Sequence, residues 1–135
     1  MTDLIKEGIY HIDGAVSKKP EDSDGPARCS FIDLADGEKK VFYLGVQTIS
    51  VAEYFALIIA LSDAIRKRYG SIKIYTDSQL VYEQINHNLI HKDGKWKVKA
   101  EHLKGLFLVA ENLLDLFFDW EIIKIRSNEN KADLK

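Results

Sequence analysis

The sequence KIYTDSQLVYEQI, residues 73–85, passes from a strand pattern to a helical pattern with a single acid, Asp77, at the junction. Taken alone, this acid is typical of a helix cap, because Asp77 or Ser78 could accept hydrogen bonds from the first free N–H groups of the helix. Asp77 could equally be one corner of a site whose other members lie elsewhere in the chain. The stretch itself leaves both interpretations open.

Composition restricts the classes of protein to consider. The chain has 135 residues, 46% of them hydrophobic, which is enough for one domain with a proper core. The lone Cys29 excludes an intramolecular disulfide and a CxxC zinc pattern, so we expect a reducing, cytoplasmic location. No signal peptide or membrane span is recognisable. The net charge of -2 argues weakly against a general nucleic-acid coat, but not against a protein that reaches phosphates through metal ions. We expect a monomer and infer no protein partner.

Four strand patterns surround a long apolar helix. The strand candidates are residues 8–16, 27–34, 39–47 and 71–77. The Asp36-Gly37 pair is a hairpin signal between the second and third strands. Residues 51–68 predict a helix that docks closely on a sheet and ends at Gly70. Because the fourth strand follows a helix, we expect it to lie parallel to an earlier strand.

The second half of the chain is mainly helical. Its elements are a short helix at 78–85, a helix at 100–118, a strand at 120–126 and the start of a helical segment after it. The helix at 100–118 has an apolar face formed by Leu103, Leu106, Phe107, Ala110, Leu113, Leu114 and Phe117. The order of elements predicts a single domain, residues 1–135, of the mixed α/β class.

Four acids are placed where they could share one site. Asp13 lies in the first strand on the same face as His11, where exposure to solvent is an equal alternative. Glu53 is expected in the first turn of its helix, where the helix dipole favours a carboxylate, although its apolar surroundings suggest a buried acid that needs a partner. Asp133 lies near the chain end, where fraying is the default.

Together these acids indicate more than each does alone. The first strand, the core helix, the fourth strand and the segment after the fifth strand could bring Asp13, Glu53, Asp77 and Asp133 to one edge of the sheet. Carboxylates packed so closely repel one another, and divalent cations would remove the conflict. Hard oxygen ligands without paired His or Cys indicate Mg²⁺ or Mn²⁺, and two such ions could support attack of water on a phosphodiester.

Four motifs, IYHIDGAV, VAEYFALIIAL, IYTDSQLV and WKVKAEHLKGL, resemble in order and spacing those of the ribonuclease H type 1 family. The resemblance implies a ribonuclease H-like five-stranded mixed sheet in the order 3-2-1-4-5, with its first three strands antiparallel. Because the sequence stops where the last helix of the family should begin, we expect the C-terminal helix to be truncated or absent. The resemblance also implies hydrolysis of the RNA strand of RNA–DNA hybrids, leaving 5′-phosphate and 3′-hydroxyl ends. Asp13, Glu53 and Asp77 then correspond to the core metal ligands and Asp133 to the fourth acid, with two Mg²⁺ or Mn²⁺ ions per site.

The resemblance also suggests substrate contacts. Gln79 matches a position near the RNA minor groove, although a solvated residue in the first turn of a helix is nearly as good an interpretation. Lys95 and Lys97 lie in a basic stretch suited to the DNA backbone, where Trp96 is preferred as a core anchor. Arg126 could act electrostatically in place of the His-containing loop of many family members.

Three departures from the family pattern leave alternatives open. The segment before Glu53 lacks the usual asparagine. The asparagine usually found four residues before the last acid is replaced by Glu129, with Asn128 and Asn130 on either side. Without a following helix we expect little to hold Asp133 in place. The acidic first loop, with Glu21, Asp22 and Asp24, and the short C-terminus favour one alternative, a non-catalytic nucleic-acid-binding module of the same fold. The other alternative is another two-metal nuclease of the superfold, which the fold alone does not exclude.

Overall fold

The computed structural model describes residues 6–17, 24–86 and 101–134. Its strands are β1 (Glu7–Val16), β2 (Asp24–Asp33), β3 (Lys39–Thr48), β4 (Ser71–Thr76) and β5 (Asp119–Lys124). They form one sheet in the order β3-β2-β1-β4-β5. β2 pairs antiparallel with β1 and β3, whereas β4 lies parallel to β1 and β5. The predicted strand order, and the expectation that the fourth strand is parallel to an earlier one, are confirmed.

The helices are α1 (Ile49–Arg66), α2 (Gln79–Asn86) and α3 (Glu101–Leu114), followed after β5 by a single 3₁₀ turn at Ser127–Glu129. α1 packs on β1 and β2 on one side and on α3 on the other, so it is apolar nearly all round. Its Leu57 and Leu61 are fully buried. Within the described ranges, no helix is long and apolar enough to cross a membrane.

The predicted hairpin between β2 and β3 is present, and a glycine shapes it. Gly37 has φ 70°, a left-handed conformation that glycine adopts without steric cost. Its N–H donates to the Asp33 carbonyl at 2.9 Å, which closes the turn. The Asp36-Gly37 signal therefore reports the local backbone correctly.

α1 begins earlier than its sequence pattern predicts. Thr48 caps it by accepting a hydrogen bond from the Val51 N–H at 3.2 Å, and the first helical residue is Ile49. Glu53 therefore lies in the second turn, and the expectation of a first-turn position is wrong. Attraction to the helix N-terminus weakens beyond the first turn, so it does not account for a carboxylate here.

The end of α1 is formed by Arg68, not by Gly70 as expected. Arg68 has φ 63° and is the one non-glycine with positive φ in the described ranges. The Tyr69 N–H donates to the Ala64 carbonyl and the Arg68 N–H to the Ile65 carbonyl, each at 3.0 Å. These bonds terminate the helix in the usual glycine-type arrangement, but with a side chain at the left-handed position.

Arg68→Gly is expected to raise the free energy of unfolding by about 1 kcal/mol, because glycine adopts the left-handed conformation without the Cβ clash. Urea unfolding followed by circular dichroism measures the change. Ser62→Gly, at an exposed position within the same helix, is the control and should lower stability by about 0.5 kcal/mol. A destabilised Arg68→Gly would show that the arginine side chain contributes more than its backbone strain costs.

α3 ends at Leu114, so the prediction that it extends to residue 118 is wrong. The Leu116 and Phe117 N–H groups turn back onto the Leu113 and Leu114 carbonyls, and the Phe118 N–H donates to Gly70 at 2.8 Å. This tight turn directs the chain into β5. The predicted apolar face is confirmed, with Leu103, Phe107, Ala110, Leu114 and Phe117 buried.

One lysine pairs with three acids near the start of β1, of which Asp33 and Asp63 are buried and Asp36 is exposed. Lys67 Nζ lies 2.9 Å from carboxylate oxygens of Asp33, Asp36 and Asp63. The Tyr10 hydroxyl donates to Asp63 at 2.7 Å. A buried carboxylate that is paired and hydrogen-bonded in this way serves the structure and needs no further partner.

Candidate active site

Asp13 lies near the carboxyl end of β1 and is 8% exposed, so the solvent-facing alternative is wrong. One of its oxygens accepts from the Gly14 N–H and the other from the Leu134 N–H, each at 3.0 Å. The second bond joins residues 121 positions apart. Asp13 is therefore held by the backbone of its own strand and by the end of the chain.

Gly14 brings β1 and α1 into direct contact. A Cβ at this position would lie 2.6 Å from the Glu53 nitrogen and 2.7 Å from the Ala52 carbonyl carbon. Any side chain here would push the helix away from the strand. The absence of a side chain at Gly14 therefore brings Glu53 beside Asp13, although the sequence shows only an Asp-Gly pair.

Ser78, and not Asp77, is the residue that caps α2. Its hydroxyl accepts from the Val81 N–H at 3.1 Å, and its own N–H donates to Thr76 Oγ1 at 3.0 Å. The Ser78 side chain also hydrogen-bonds the Glu53 carboxylate. Ser78 is therefore the cap of the two candidates. Asp77 directly follows the carboxyl end of β4, beside Glu53.

Residues 130–134, which we call the strap, run across the end of β1. The Asn130 side chain donates to the Ile12 carbonyl at 2.8 Å and accepts from the Ala132 N–H at 2.9 Å. The Lys131 N–H donates to His11 Nδ1 at 3.0 Å. Burial, with the nearby charge of Lys131, lowers the pKa of His11, so the neutral ring has a nitrogen free to accept.

β2 and β3 hold the strap from the other side. The buried Ser30 hydroxyl donates to the Ala132 carbonyl, and Arg28 donates to the Leu134 carbonyl at 3.1 Å. Lys39 Nζ donates to the Asp133 carbonyl at 2.8 Å. The expectation that little holds Asp133 in place is therefore wrong, because the strap is held by hydrogen bonds to three strands.

The electrostatics connect all four acids. Burial raises the pKa of Asp13 to about 6, and the charges of Asp77 and Asp133 add to the effect against the Leu134 and Gly14 N–H groups. Burial likewise raises the pKa of Glu53 to about 7, with further contributions from Asp77 and Asp13 that the Ser78 hydrogen bond opposes. The four acids are therefore linked by electrostatic repulsion.

In this structure the carboxylate oxygens of the four acids do not form a complete set of metal ligands. Among residues 6–17, 24–86 and 101–134, no three His, Cys, Asp or Glu side chains stand close enough together to hold a metal ion. Like charges without a counter-ion are expected to keep their side chains apart. The donor chemistry, hard carboxylate oxygens with raised pKa values, fits a divalent cation such as Mg²⁺ or Mn²⁺.

The predicted substrate-contact residues fall into two groups. Gln79 is the exposed first residue of α2, two positions after Asp77, and Arg126 is exposed just after β5. Both lie at the edge of the sheet that carries the acids. Lys95 and Lys97, with Trp96, lie outside the described residues.

Sequence reasoning missed the residues that hold the strap. His11 was considered only as a neighbour of Asp13, and Ser30 not at all. Asn130 was noted only as flanking Glu129, yet Asn130 is the buried residue, whereas the exposed Glu129 accepts from the Arg126 N–H at 3.0 Å. The available signal was the short spacing from Asn130 to Asp133, which suits a tight turn.

A mixed sheet in this strand order, with acids from β1, α1, β4 and the strap at one edge, defines a protein of the ribonuclease H-like α/β class. The family model for RNase H matches residues 6–128. The chain therefore belongs to the RNase H family.

Relatives agree with this assignment. The chain is 32% identical over 129 residues to ribonuclease HI of Halobacterium salinarum, covering 91% of this chain but 59% of that protein. A crystal structure of RNase H1 from that organism covers 94% of this chain and 91% of its own, with a TM-score of 0.78 and 27% identity. LC11-RNase H1, solved in complex with an RNA/DNA hybrid, covers 91% of this chain and 88% of its own, with a TM-score of 0.75; at 23% identity it shows the fold alone.

Proposed function

We propose that this protein is a metal-dependent endoribonuclease that hydrolyses the RNA strand of RNA–DNA hybrids, giving 5′-phosphate and 3′-hydroxyl ends. The observation that supports the proposal is the convergence of four acids at one edge of the sheet, where burial, and then the charges of neighbouring acids, raises the pKa of Asp13 to about 6 and that of Glu53 to about 7. Elsewhere in the fold, the buried Asp33 and Asp63 are paired with Lys67, and Asp63 is also paired with Arg66. Buried acids whose pKa values are raised are a common mark of a functional site, and a divalent cation would relieve the repulsion between them.

The four acids have distinct tasks under this proposal. Asp13 is central, because the charges of both Asp77 and Asp133 act on it, and it would help to hold both Mg²⁺ or Mn²⁺ ions. Glu53 and Asp77 would hold one ion and Asp133 would complete the site of the other. When bound, such ions supply the positive charge that activates a water molecule and stabilises the leaving 3′-oxygen. Ser78 keeps Glu53 oriented by its hydrogen bond.

Family membership and the fold shared with a hybrid-bound ribonuclease H1 support an RNA–DNA hybrid as the substrate. RNA differs from DNA by its 2′-hydroxyl, a group that both donates and accepts hydrogen bonds. Gln79 is exposed beside Asp77 and would read this group in the minor groove. Arg126, with Lys95 and Lys97, would attract phosphates. We further propose a monomer acting in the cytoplasm, where the free thiol of Cys29 would persist.

Purified protein is expected to cleave the RNA strand of a labelled hybrid when Mg²⁺ or Mn²⁺ is added, and to be inactive in EDTA. Denaturing electrophoresis with end-labelled RNA measures the rate and identifies the new ends. A DNA duplex and a double-stranded RNA of the same sequence are the matched control substrates. Equal cleavage of the DNA duplex would favour another two-metal nuclease, and binding without cleavage in either metal would favour the non-catalytic module.

A further inference from the structure

The strap supplies Asp133, yet it lies beyond the part of the chain that matches the family model, which ends at residue 128. The family match therefore does not account for the placement of the strap, which has to be explained by its contacts in this structure. Three successive residues of β1 make them: His11 accepts from Lys131, the Ile12 carbonyl accepts from Asn130, and Asp13 accepts from Leu134.

The sheet makes these contacts possible. The pairing of β1 with β4 ends at Ile12 and Thr76, so the Ile12 carbonyl can accept from a group beyond the sheet edge. Asn130, 5% exposed, fills this place and holds the Ala132 N–H with its other side-chain atom. Asp133 thus lies between Ala132 and Leu134, whose N–H groups are both held, and this restricts the direction of its side chain.

We propose that His11 and Asn130 are positioning residues, which lock the strap onto β1 so that the Asp133 carboxylate is presented beside Asp13. This inference rests on the proposed function, because it assigns these residues to the second cation position. Neither residue touches the reacting atoms. Their effect on cleavage would pass through Asp133.

His11 has two contacts that substitution can separate. Nδ1 accepts from the Lys131 N–H, and the ring lies 5.0 Å from the Tyr75 ring, between centroids. His11→Phe keeps an aromatic ring beside Tyr75 but removes the acceptor. His11→Asn removes the ring but keeps an oxygen close to the position of Nδ1. If His11 serves only to pack against Tyr75, His11→Phe should be the less impaired variant. If His11 positions the strap through its acceptor, His11→Asn should be the less impaired variant.

The experiment titrates the full chain with Mn²⁺ by isothermal calorimetry, and measures kcat and KM on the hybrid. His11→Phe is expected to weaken the second Mn²⁺ about tenfold and lower kcat to a similar extent with KM little changed, as for other residues that orient metal ligands. His11→Asn should stay within about threefold of wild type. In metal-free protein, hydrogen exchange at the Lys131 and Leu134 amides should accelerate in His11→Phe and Asn130→Ala.

A double-mutant cycle identifies the route of the effect. Asp133→Ala should remove the second Mn²⁺, and adding His11→Phe to it should change neither Mn²⁺ binding nor kcat further. A further loss in that background, or wild-type Mn²⁺ binding in His11→Phe, would overturn the positioning role. If the wild-type chain binds no Mn²⁺ and cleaves nothing, the proposed function fails as well. If it cleaves and His11→Phe matches it, only this inference fails.

Discussion

Asp13→Asn is expected to reduce hybrid cleavage about a thousandfold, equivalent to about 4 kcal/mol of transition-state stabilisation. The amide has nearly the same shape but lacks the negative charge that a pair of divalent cations would share. It also has a single oxygen, so it can no longer use two oxygens to accept from the Gly14 and Leu134 N–H groups. The substitution therefore affects both the charge at the site and the attachment of the strap.

The measurement is single-turnover cleavage of a labelled hybrid at saturating Mg²⁺. Asp119→Asn, at an exposed position at the start of β5, is the matched control and should keep the wild-type rate. Circular dichroism must show the same fold in both variants. A rate for Asp13→Asn within tenfold of wild type would be incompatible with a metal-bridging role for this residue.

Glu53→Gln is expected to abolish metal-dependent cleavage and, at the same time, to stabilise the metal-free protein at pH 8. The pKa of Glu53 is about 7 in the folded protein against an ordinary 4.5. Between these values the folded state holds a proton that the unfolded state has released, so stability falls as the pH rises. The stability that is linked to protonation of Glu53 is fully present below about pH 4.5 and is lost as the pH rises through about 7.

The size of the effect follows from the same shift. The rise of the Glu53 pKa from 4.5 to about 7 corresponds to at most about 3–4 kcal/mol, and screening at a partly exposed side chain reduces this free energy to roughly 2 kcal/mol. Glutamine has no charge to desolvate and can still accept from Ser78, so the variant should avoid this loss. Deprotonation of Asp13, whose pKa is about 6, should still lower the free energy of unfolding of both proteins as the pH rises.

Urea unfolding in EDTA at pH 5 and pH 8 measures the difference. Glu121→Gln, an exposed position on β5, is the control and should lose as much stability as the wild type between the two pH values. Adding Mg²⁺ at pH 8 should stabilise the wild type but not Glu53→Gln, because a ligand stabilises the state that binds it. Equal pH dependence in wild type and Glu53→Gln would show that Glu53 is not desolvated.

Local patterns carried much of the fold. The strand patterns of β1 and β4, the Asp36-Gly37 turn and the apolar face of α3 all depend on neighbours in the chain, and they were predicted correctly. Helix ends were less accurate. A capping threonine and a left-handed arginine moved both ends of α1, since tertiary contacts can select a backbone conformation that propensity disfavours.

The sequence by itself predicted which acids converge at one edge of the sheet, because Asp13, Glu53 and Asp77 sit in motifs whose order and spacing resemble those of the ribonuclease H type 1 family. It could not determine how they are held. The contact of Gly14 with α1, the choice of Ser78 as cap and the attachment of Asp133 join segments as far apart as 121 positions. Such contacts depend on the strand register and on buried polar groups finding partners, which only the folded chain decides. The tertiary structure thus changed Asp133 from a residue expected to fray into one held beside Asp13.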